Sequence, residues 1–136
     1  MKSDPRDDKE IYYTNDHEWI DFQGMVAYSG ICAFKLTGFK DIQQINFHQA
    51  LGAKKQGDSI ATIHYHDYQI DVHMPVDGKV IEINEKLAGQ DKQKLLQDPE
   101  GRGWIALIIP ATPGSRKGLI MSRDYHSRIS LRINKY

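Results

Sequence analysis

The sequence predicts a single mainly β domain, built as a small sandwich or flattened barrel of antiparallel strands with short helices. Its length of 136 residues suits one domain with a modest core. From Ile11 onward, short apolar runs are separated by turn residues, which is typical of β-rich domains. Several runs are apolar at every second position or rich in β-branched residues, as strands are. Few segments show a helical period, so helices are expected to be a minor component.

The strand candidates follow one another with short connections. Gly24 divides residues 18–31 into two strands, and a turn over 52–58 precedes a further strand. The other candidate segments are 42–47, 59–66, 68–74, 79–85 and 104–111. Two helical segments interrupt this pattern. Residues 32–43 predict a short helix broken at Gly38, and a helical turn around Lys92 to Gln97 is expected to stop before Pro99.

We divide the chain into a disordered arm at 1–10, a domain at 11–110 and a basic C-terminal extension at 111–136. The extension has six Lys and Arg against one acidic residue, so it carries +5 while residues 1–110 carry −5. Its apolar residues fit both a helix face and, near the end, a strand; we favour a helix followed by an extended end. The basic residues form no dense run, so we expect no nucleic-acid partner.

The composition argues against several other classes of protein. The 18 basic and 18 acidic residues cancel, so net charge indicates neither nucleic acid nor a membrane surface as a partner. The single cysteine, Cys32, excludes an internal disulfide and a CxxC metal motif, and it fits a reducing compartment. The first ten residues are polar where a signal peptide is apolar, and no apolar run approaches the roughly 20 residues that span a bilayer. We expect a cytoplasmic protein without a membrane partner.

The segment 59–74 predicts a hairpin with one apolar and one polar face. Since side chains alternate across a strand, six apolar residues share the face that we expect to be buried: Ala61, Ile63, Tyr65, Ile70, Val72 and Met74. The polar face carries Thr62, His64, His66, Gln69, Asp71 and His73. A two-residue loop at Asp67-Tyr68 would pair His66 with Gln69 and His64 with Asp71.

The polar face of this hairpin offers a candidate metal site. Two histidines and one carboxylate can bind a divalent cation, and His64 and Asp71 would be cross-strand neighbours. The spacing lacks a second carboxylate or an HExxH pattern, which would support such a site. We therefore expect ordinary solvated side chains and no metal, and keep His64, His66 and Asp71 as the alternative metal ligands.

Five stretches, in order along residues 13–110, indicate a protein family more specifically than any of these patterns. They read YTNDHEWI at 13–20, SGIC at 29–32, QGDSIATI at 56–63, MPVDGKVIEINEKL at 74–87 and QDPEGRGWIALI at 97–108. Together they resemble the signatures of the glycine cleavage system H protein family, small carriers built on a lipoyl domain. The resemblance implies a lipoyl-domain-like barrel-sandwich hybrid of antiparallel strands, which agrees with the fold class that alternation predicts.

The sequence departs from this family where the resemblance implies a cofactor site. Family members carry lipoate on a lysine at the hairpin tip, eight residues before the proline of a P-x-S-G turn. Counting back from Pro75 gives Asp67 at that position, and His64 stands in place of the family's glutamate. A carboxylate cannot form the lipoyl amide, and the nearest lysines in sequence, Lys55 and Lys79, cannot reach the tip without shifting the apolar register. We expect neither lipoate nor another cofactor.

Several residues outside the hairpin are tempting as catalytic groups. The resemblance implies that His17, Glu18 and Trp19 are mainly structural, and Trp104 fits a packing role in the same way. Cys32, a lone cysteine among apolar residues, is expected to be a buried small hydrophobe, and the sequence offers it no base partner.

The sequence therefore favours a non-catalytic and non-lipoylated binding module, a pseudo-carrier. The expected recognition edge is the hairpin tip, formed by His64, His66, Asp67, Tyr68 and Asp71. The expected partners are proteins, such as glycine cleavage components or lipoyl-handling enzymes. Two alternatives stay open: a carrier that uses an atypical lysine, and a metal-binding protein that uses the polar face of the hairpin.

Overall fold

The computed structural model describes residues 10–134, which contain ten strands in two antiparallel sheets. The strands are β1 (Glu10–Tyr13), β2 (Glu18–Gln23), β3 (Val26–Ile31), β4 (Gln44–Phe47), β5 (Gly52–Lys54), β6 (Ser59–Tyr65), β7 (Tyr68–His73), β8 (Gly78–Ile83), β9 (Ala106–Pro110) and β10 (Ile120–Met121). The larger sheet has the order β10-β1-β2-β3-β9-β8-β5, and the smaller one β4-β6-β7. The predicted mainly β fold of antiparallel strands is confirmed.

The helices are short, as predicted, and differ in detail from the prediction. The segment predicted as a helix broken at Gly38 forms a single 3-10 turn, Ala33–Leu36, and a second 3-10 turn covers Glu85–Ala88. The predicted helical turn before Pro99 is confirmed as α1 (Lys94–Gln97). Strand β5 occupies the start of the predicted 52–58 turn.

The C-terminal segment contains the longest helix in the described part of the chain, α2 (Ser122–Asn134). The extended end predicted after the helix is therefore wrong as far as residue 134. Tyr125 and Ile129 lie one helical turn apart, and both belong to the cluster around Tyr13 on the larger sheet. This packing favours a helix over the alternation of the last residues.

The main core lies between the two sheets. Ile63 and Val72 from the smaller sheet meet Val80 and Ile108 from the larger one, and all four side chains are at most 1% exposed. Full burial of an aliphatic side chain of this size contributes about 1.5–3 kcal/mol to stability. The hairpin β6–β7 thus has its apolar face anchored in the core.

The basic segment after residue 110 packs back onto the larger sheet. Arg116 forms an ion pair with Glu10 at 2.7 Å, and its guanidinium carbon lies 3.6 Å from the ring centroid of Phe22. Tyr125 stacks on Tyr13 with ring centroids 4.2 Å apart. Except for Glu10, which begins β1, the predicted arm lies outside the described residues.

Within residues 10–134, no helix is long and apolar enough to cross a membrane. The residues for which the sequence predicted a packing role have one. Trp19 and Cys32 are buried, and Trp104 packs edge-to-face against Tyr28 with centroids 5.2 Å apart. Burial raises the pKa of the Cys32 thiol to about 12, so at neutral pH it is a protonated, unreactive group.

Candidate functional site

The hairpin β6–β7 has the two faces that its alternation predicts. On the apolar face, Ala61, Ile63, Val72 and Met74 are buried, and the remaining two residues, closer to the tip, are half-buried. The polar face is turned away from the core and contains exposed or half-buried side chains, apart from the buried Thr62.

The loop at the tip is His66-Asp67, one residue earlier than predicted. Strand pairing is consequently shifted by two residues from the predicted register. His64, rather than His66, lies opposite Gln69. Both predicted pairs, His66 with Gln69 and His64 with Asp71, are therefore wrong.

Gln43, the residue before β4, accounts for the position of this turn. Its Oε1 accepts a hydrogen bond from the backbone N–H of His66 at 2.8 Å, and its Nε2 lies 3.4 Å from His66 Nδ1. Its own backbone N–H donates to the carbonyl oxygen of His64 at 2.9 Å. His66 has φ +52°, a left-handed conformation that histidine adopts more readily than most residues. Gln43 therefore holds the turn from the segment that leads into β4.

Three aromatic rings surround the tip on its apolar side; we call Phe39, Tyr65 and Tyr68 the tip aromatic cluster. The rings of Tyr65 and Tyr68 are nearly parallel, with an interplanar angle of 6° and centroids 6.3 Å apart. Phe39 lies 5.8 and 6.0 Å from these two centroids. Tyr68 is 57% exposed, so the cluster presents an aromatic surface next to the exposed carboxylate of Asp67.

The polar face does not gather the three predicted metal ligands. His64 Nε2 lies 3.3 Å from Nδ2 of Asn46. Asp71 Oδ1 accepts a hydrogen bond from the hydroxyl of Thr62 at 3.2 Å, and Nε2 of His48 hydrogen-bonds to the same hydroxyl. His64 and Asp71 thus take part in separate hydrogen-bonded groups on neighbouring strands.

An ionic cluster around the buried Glu18, which we call the base network, lies at the other end of the hairpin: Asp16, Glu18, Lys35 and His73. Glu18 Oε2 accepts hydrogen bonds from the backbone N–H of His73 at 2.6 Å and from Lys35 Nζ at 2.9 Å. Asp16 Oδ2 lies 2.8 Å from Lys35 Nζ and 2.6 Å from His73 Nδ1. The network therefore joins β7 of the smaller sheet to β2 of the larger sheet.

Burial and charge act in opposite directions on the two carboxyl groups of this network. Burial raises the pKa of Glu18, and the neighbouring Lys35 only partly offsets that effect. Partial burial would also raise the pKa of Asp16, but hydrogen bonds and charges from Lys35 and His73 outweigh it and hold this pKa below its usual range. The ammonium group of Lys35 thus compensates the negative charge of the two carboxylates in the base network.

The base network is the one group in the described part of the chain whose ligand atoms would suit a metal ion. Those of Asp16, Glu18 and His73 all lie within 4.8 Å of one another. Lys35 Nζ, at 2.8 and 2.9 Å from the two carboxylates, already supplies their positive charge. We therefore interpret the cluster as a structural link. The structural role expected of Glu18 agrees with this geometry, whereas sequence reasoning did not identify Lys35 or the contacts of His73.

The lysines nearest the tip in sequence lie at the far end of the hairpin. Lys55 lies in the turn before β6, whose seven residues span roughly 20 Å at about 3.3 Å per residue. Lys79 lies on β8 beside β5, at the same far end. Lys40 directly follows the phenylalanine of the tip aromatic cluster, and Lys92 Nζ donates to the carbonyl oxygen of the clamping glutamine at 3.2 Å.

Comparison with known proteins identifies the family. The model of the glycine cleavage H-protein family matches residues 11–131. A probable glycine cleavage system H protein from Aeropyrum pernix is 31% identical over 117 residues, covering 86% of this chain and 81% of the relative. The glycine cleavage system H protein of Caulobacter vibrioides is 37% identical over 112 residues, covering 82% and 91%.

A solved structure supports the fold independently of these sequence matches. The crystal structure of a glycine cleavage system H protein from Mycobacterium marinum superimposes with a TM-score of 0.75 at 22% identity, and covers 89% of this chain and 97% of that one. The two antiparallel sheets thus match the barrel-sandwich fold of that protein. The chain belongs to the glycine cleavage H-protein family.

Proposed function

We propose that this chain is a non-lipoylated member of this family of non-catalytic carriers and acts as a binding module through its hairpin tip. The observation that carries the proposal is the chemistry of the exposed turn. The turn ends in Asp67, which the resemblance to the family aligns with the lipoyl-lysine. A carboxylate cannot be acylated by lipoate, so the proposal assigns the protein no lipoyl cofactor.

The tip has the features of a recognition edge. Aromatic side chains bury a large area at a low cost in conformational entropy, and they dominate many protein interfaces. Tyr68 is exposed but flanked by Tyr65 and Phe39, and Gln43 holds the turn in one geometry. Such preorganisation reduces the entropy lost on binding. The tip would therefore fit a protein partner that offers an apolar pocket for Tyr68 and hydrogen-bond donors for the adjacent carboxylate.

The expected partners follow from the family. The curated relatives are named as components of the glycine cleavage system, so enzymes of that system or lipoyl-handling enzymes are the first candidates. A protein that keeps the carrier's scaffold without its cofactor would occupy the partner's docking surface. It would thereby compete with a lipoylated carrier, which makes regulation of such enzymes the proposed outcome of binding.

The proposal can be tested by affinity capture from cells that express the tagged protein. The tip variants are the double variant His66→Ala, Asp67→Ala and the single variant Tyr68→Ala. A matched control is Glu82→Ala, an exposed residue of β8. Partners captured by the wild type and the control should be lost from the tip variants. If every captured partner stays bound to the tip variants, the tip is not the recognition edge.

One observation favours a second candidate function, a carrier that uses an atypical lysine. Lys40 directly follows Phe39 of the tip aromatic cluster and Lys92 contacts Gln43, and either ammonium group could be acylated in place of the missing tip lysine. This alternative predicts a lipoyl-sized mass increment that disappears in the variant Lys40→Arg, Lys92→Arg. An unmodified wild-type protein would exclude the alternative.

A further inference from the structure

A second surface lies at the end of the molecule remote from the hairpin tip. It is a groove of about 800 Å³ beside β5 and the start of β8. Its apolar lining consists of Ala53, Ile109, Pro110 and Ala111, and its basic lining consists of Lys54, Lys55 and Lys79. Ile109 is 38% exposed and is the direct cross-strand neighbour of Lys79. We call this surface the basic groove.

The lysines of the basic groove have no acidic partner in residues 10–134, where the ion pairs involve other groups. Two aspartates also line the groove, but both bind loop backbone. Asp58 Oδ2 accepts the N–H of Lys55 at 2.8 Å, and Asp77 Oδ1 accepts the N–H of Gln56 at 2.7 Å. A small crevice that shares Asp77 is lined by a further lysine, Lys117. Three ammonium groups and two backbone-bound carboxylates therefore surround the apolar floor, and a fourth ammonium group lies in the crevice beside it.

The position of β5 indicates the shape of a ligand for this groove. β5 is an edge strand of the larger sheet and pairs with β8 alone. An edge strand can accept an extended segment of another protein, with backbone hydrogen bonds for affinity and side chains for specificity. In an extended segment, alternate side chains point to opposite sides, so one set would lie on the face of Ala53, Lys79 and Ile109 and the other set on the face of Lys54.

We propose that the basic groove is a docking site for an acidic, extended peptide segment of a partner protein, with acidic and aliphatic residues in alternation. Charge complementarity to the unpaired lysines selects the acidic residues, and the floor at Ile109 selects the aliphatic ones. The groove is separate from the hairpin tip. The inference does not depend on the proposed function of the tip.

The probe for this proposal is a fluorescein-labelled peptide of nine residues that alternates glutamate and valine. Fluorescence anisotropy should show saturable binding to the full chain, weakened about tenfold or more by the charge reversal Lys54→Glu, Lys79→Glu. The matched control, Lys86→Glu, Arg123→Glu, changes the net charge equally at exposed basic residues elsewhere and should bind within about twofold of the wild type. Unfolding curves establish that both variants are folded.

Two further measurements fix the location and the chemistry of the contact. Carbodiimide coupling should crosslink the peptide to Lys54, Lys55 or Lys79. A glutamate–serine peptide of the same charge should bind more weakly, since it cannot use the apolar floor. The proposal is overturned if the glutamate–valine peptide does not bind, if it binds equally to the groove variant, or if the serine peptide binds as well. The lysines would then only protect the edge strand against unwanted pairing.

Discussion

The two ends of the β6–β7 hairpin use polar residues in opposite ways. At the base, His73 contacts a carboxylate whose side chain is 2% exposed, and Lys35 balances the charge. At the tip, His66 and Asp67 are exposed, and the contact that fixes the turn comes from one glutamine. The base network therefore joins the two sheets, whereas the polar groups of the tip are available to a partner.

The largest effect on stability is expected at the base. Lys35→Met leaves the buried carboxylate of Glu18 without its lysine, and breaking one half of such a pair costs about 3 kcal/mol or more in the free energy of unfolding. Urea unfolding at pH 7 measures this loss. Lys40→Met, at an exposed lysine, is the control and should stay within about 0.5 kcal/mol of the wild type. Equal stability of the two variants would contradict the role of the base network.

At the tip, a substitution should change the affinity for a partner more than it changes stability. Tyr68→Ala should weaken a captured partner's affinity about 30-fold, which is about 2 kcal/mol. The free energy of unfolding should change by less than about 1 kcal/mol, because this side chain is half-exposed. Titration calorimetry and urea unfolding on the same samples separate the two. If the variant loses stability but keeps its affinity, the tip has a structural role and does not bind the partner.

The clamp at the turn is expected to have a smaller effect. Gln43→Ala removes the acceptor for the His66 N–H, and one hydrogen bond of this kind contributes about 1 kcal/mol. Amide exchange of His66 should accelerate accordingly, while amides in the buried middle of β6 should keep their protection. Unchanged exchange at His66 would show that the turn does not need this glutamine.

The smallest effect is a dependence on pH at the base. Because the pKa of Asp16 is lower in the folded protein than its ordinary value of 3.8, its ionised form stabilises the fold above that value. The contribution is lost as the pH falls through the folded pKa. Asp16→Asn should therefore destabilise at pH 7 and 5, and the difference from the wild type should shrink towards pH 3. Urea unfolding at the three values tests the sign, and a constant difference would contradict it.

Alternation in the sequence could predict the faces of the hairpin but not its register. The strand period predicts that Ile63 and Val72 face the core, and both are fully buried. A shift of the pairing by two residues leaves both faces unchanged, so hydrophobic pattern cannot distinguish the two loops. The position of the loop depends on Gln43, which is 23 residues away from His66. No local pattern predicts the contact of the Gln43 side chain with that residue.

The base network could not be predicted from the sequence for a related reason. Glu18 and His73 are 55 residues apart, and each has an ordinary local role, one in a family signature and one on a polar face. The one signal was a glutamate at the start of β2, a strand whose first five residues are all buried. A buried charge needs a partner, but the sequence alone could not identify Lys35 as that partner.

Intact mass spectrometry shows whether the tip carries lipoate. The protein is co-expressed with lipoate ligase and excess lipoate, beside a lipoylated H protein as positive control and the variant His64→Glu, Asp67→Lys. We expect an unmodified wild type and a lipoyl-sized mass increment on the variant, mapped to position 67. A lipoyl increment on any lysine of the wild-type chain would contradict this expectation.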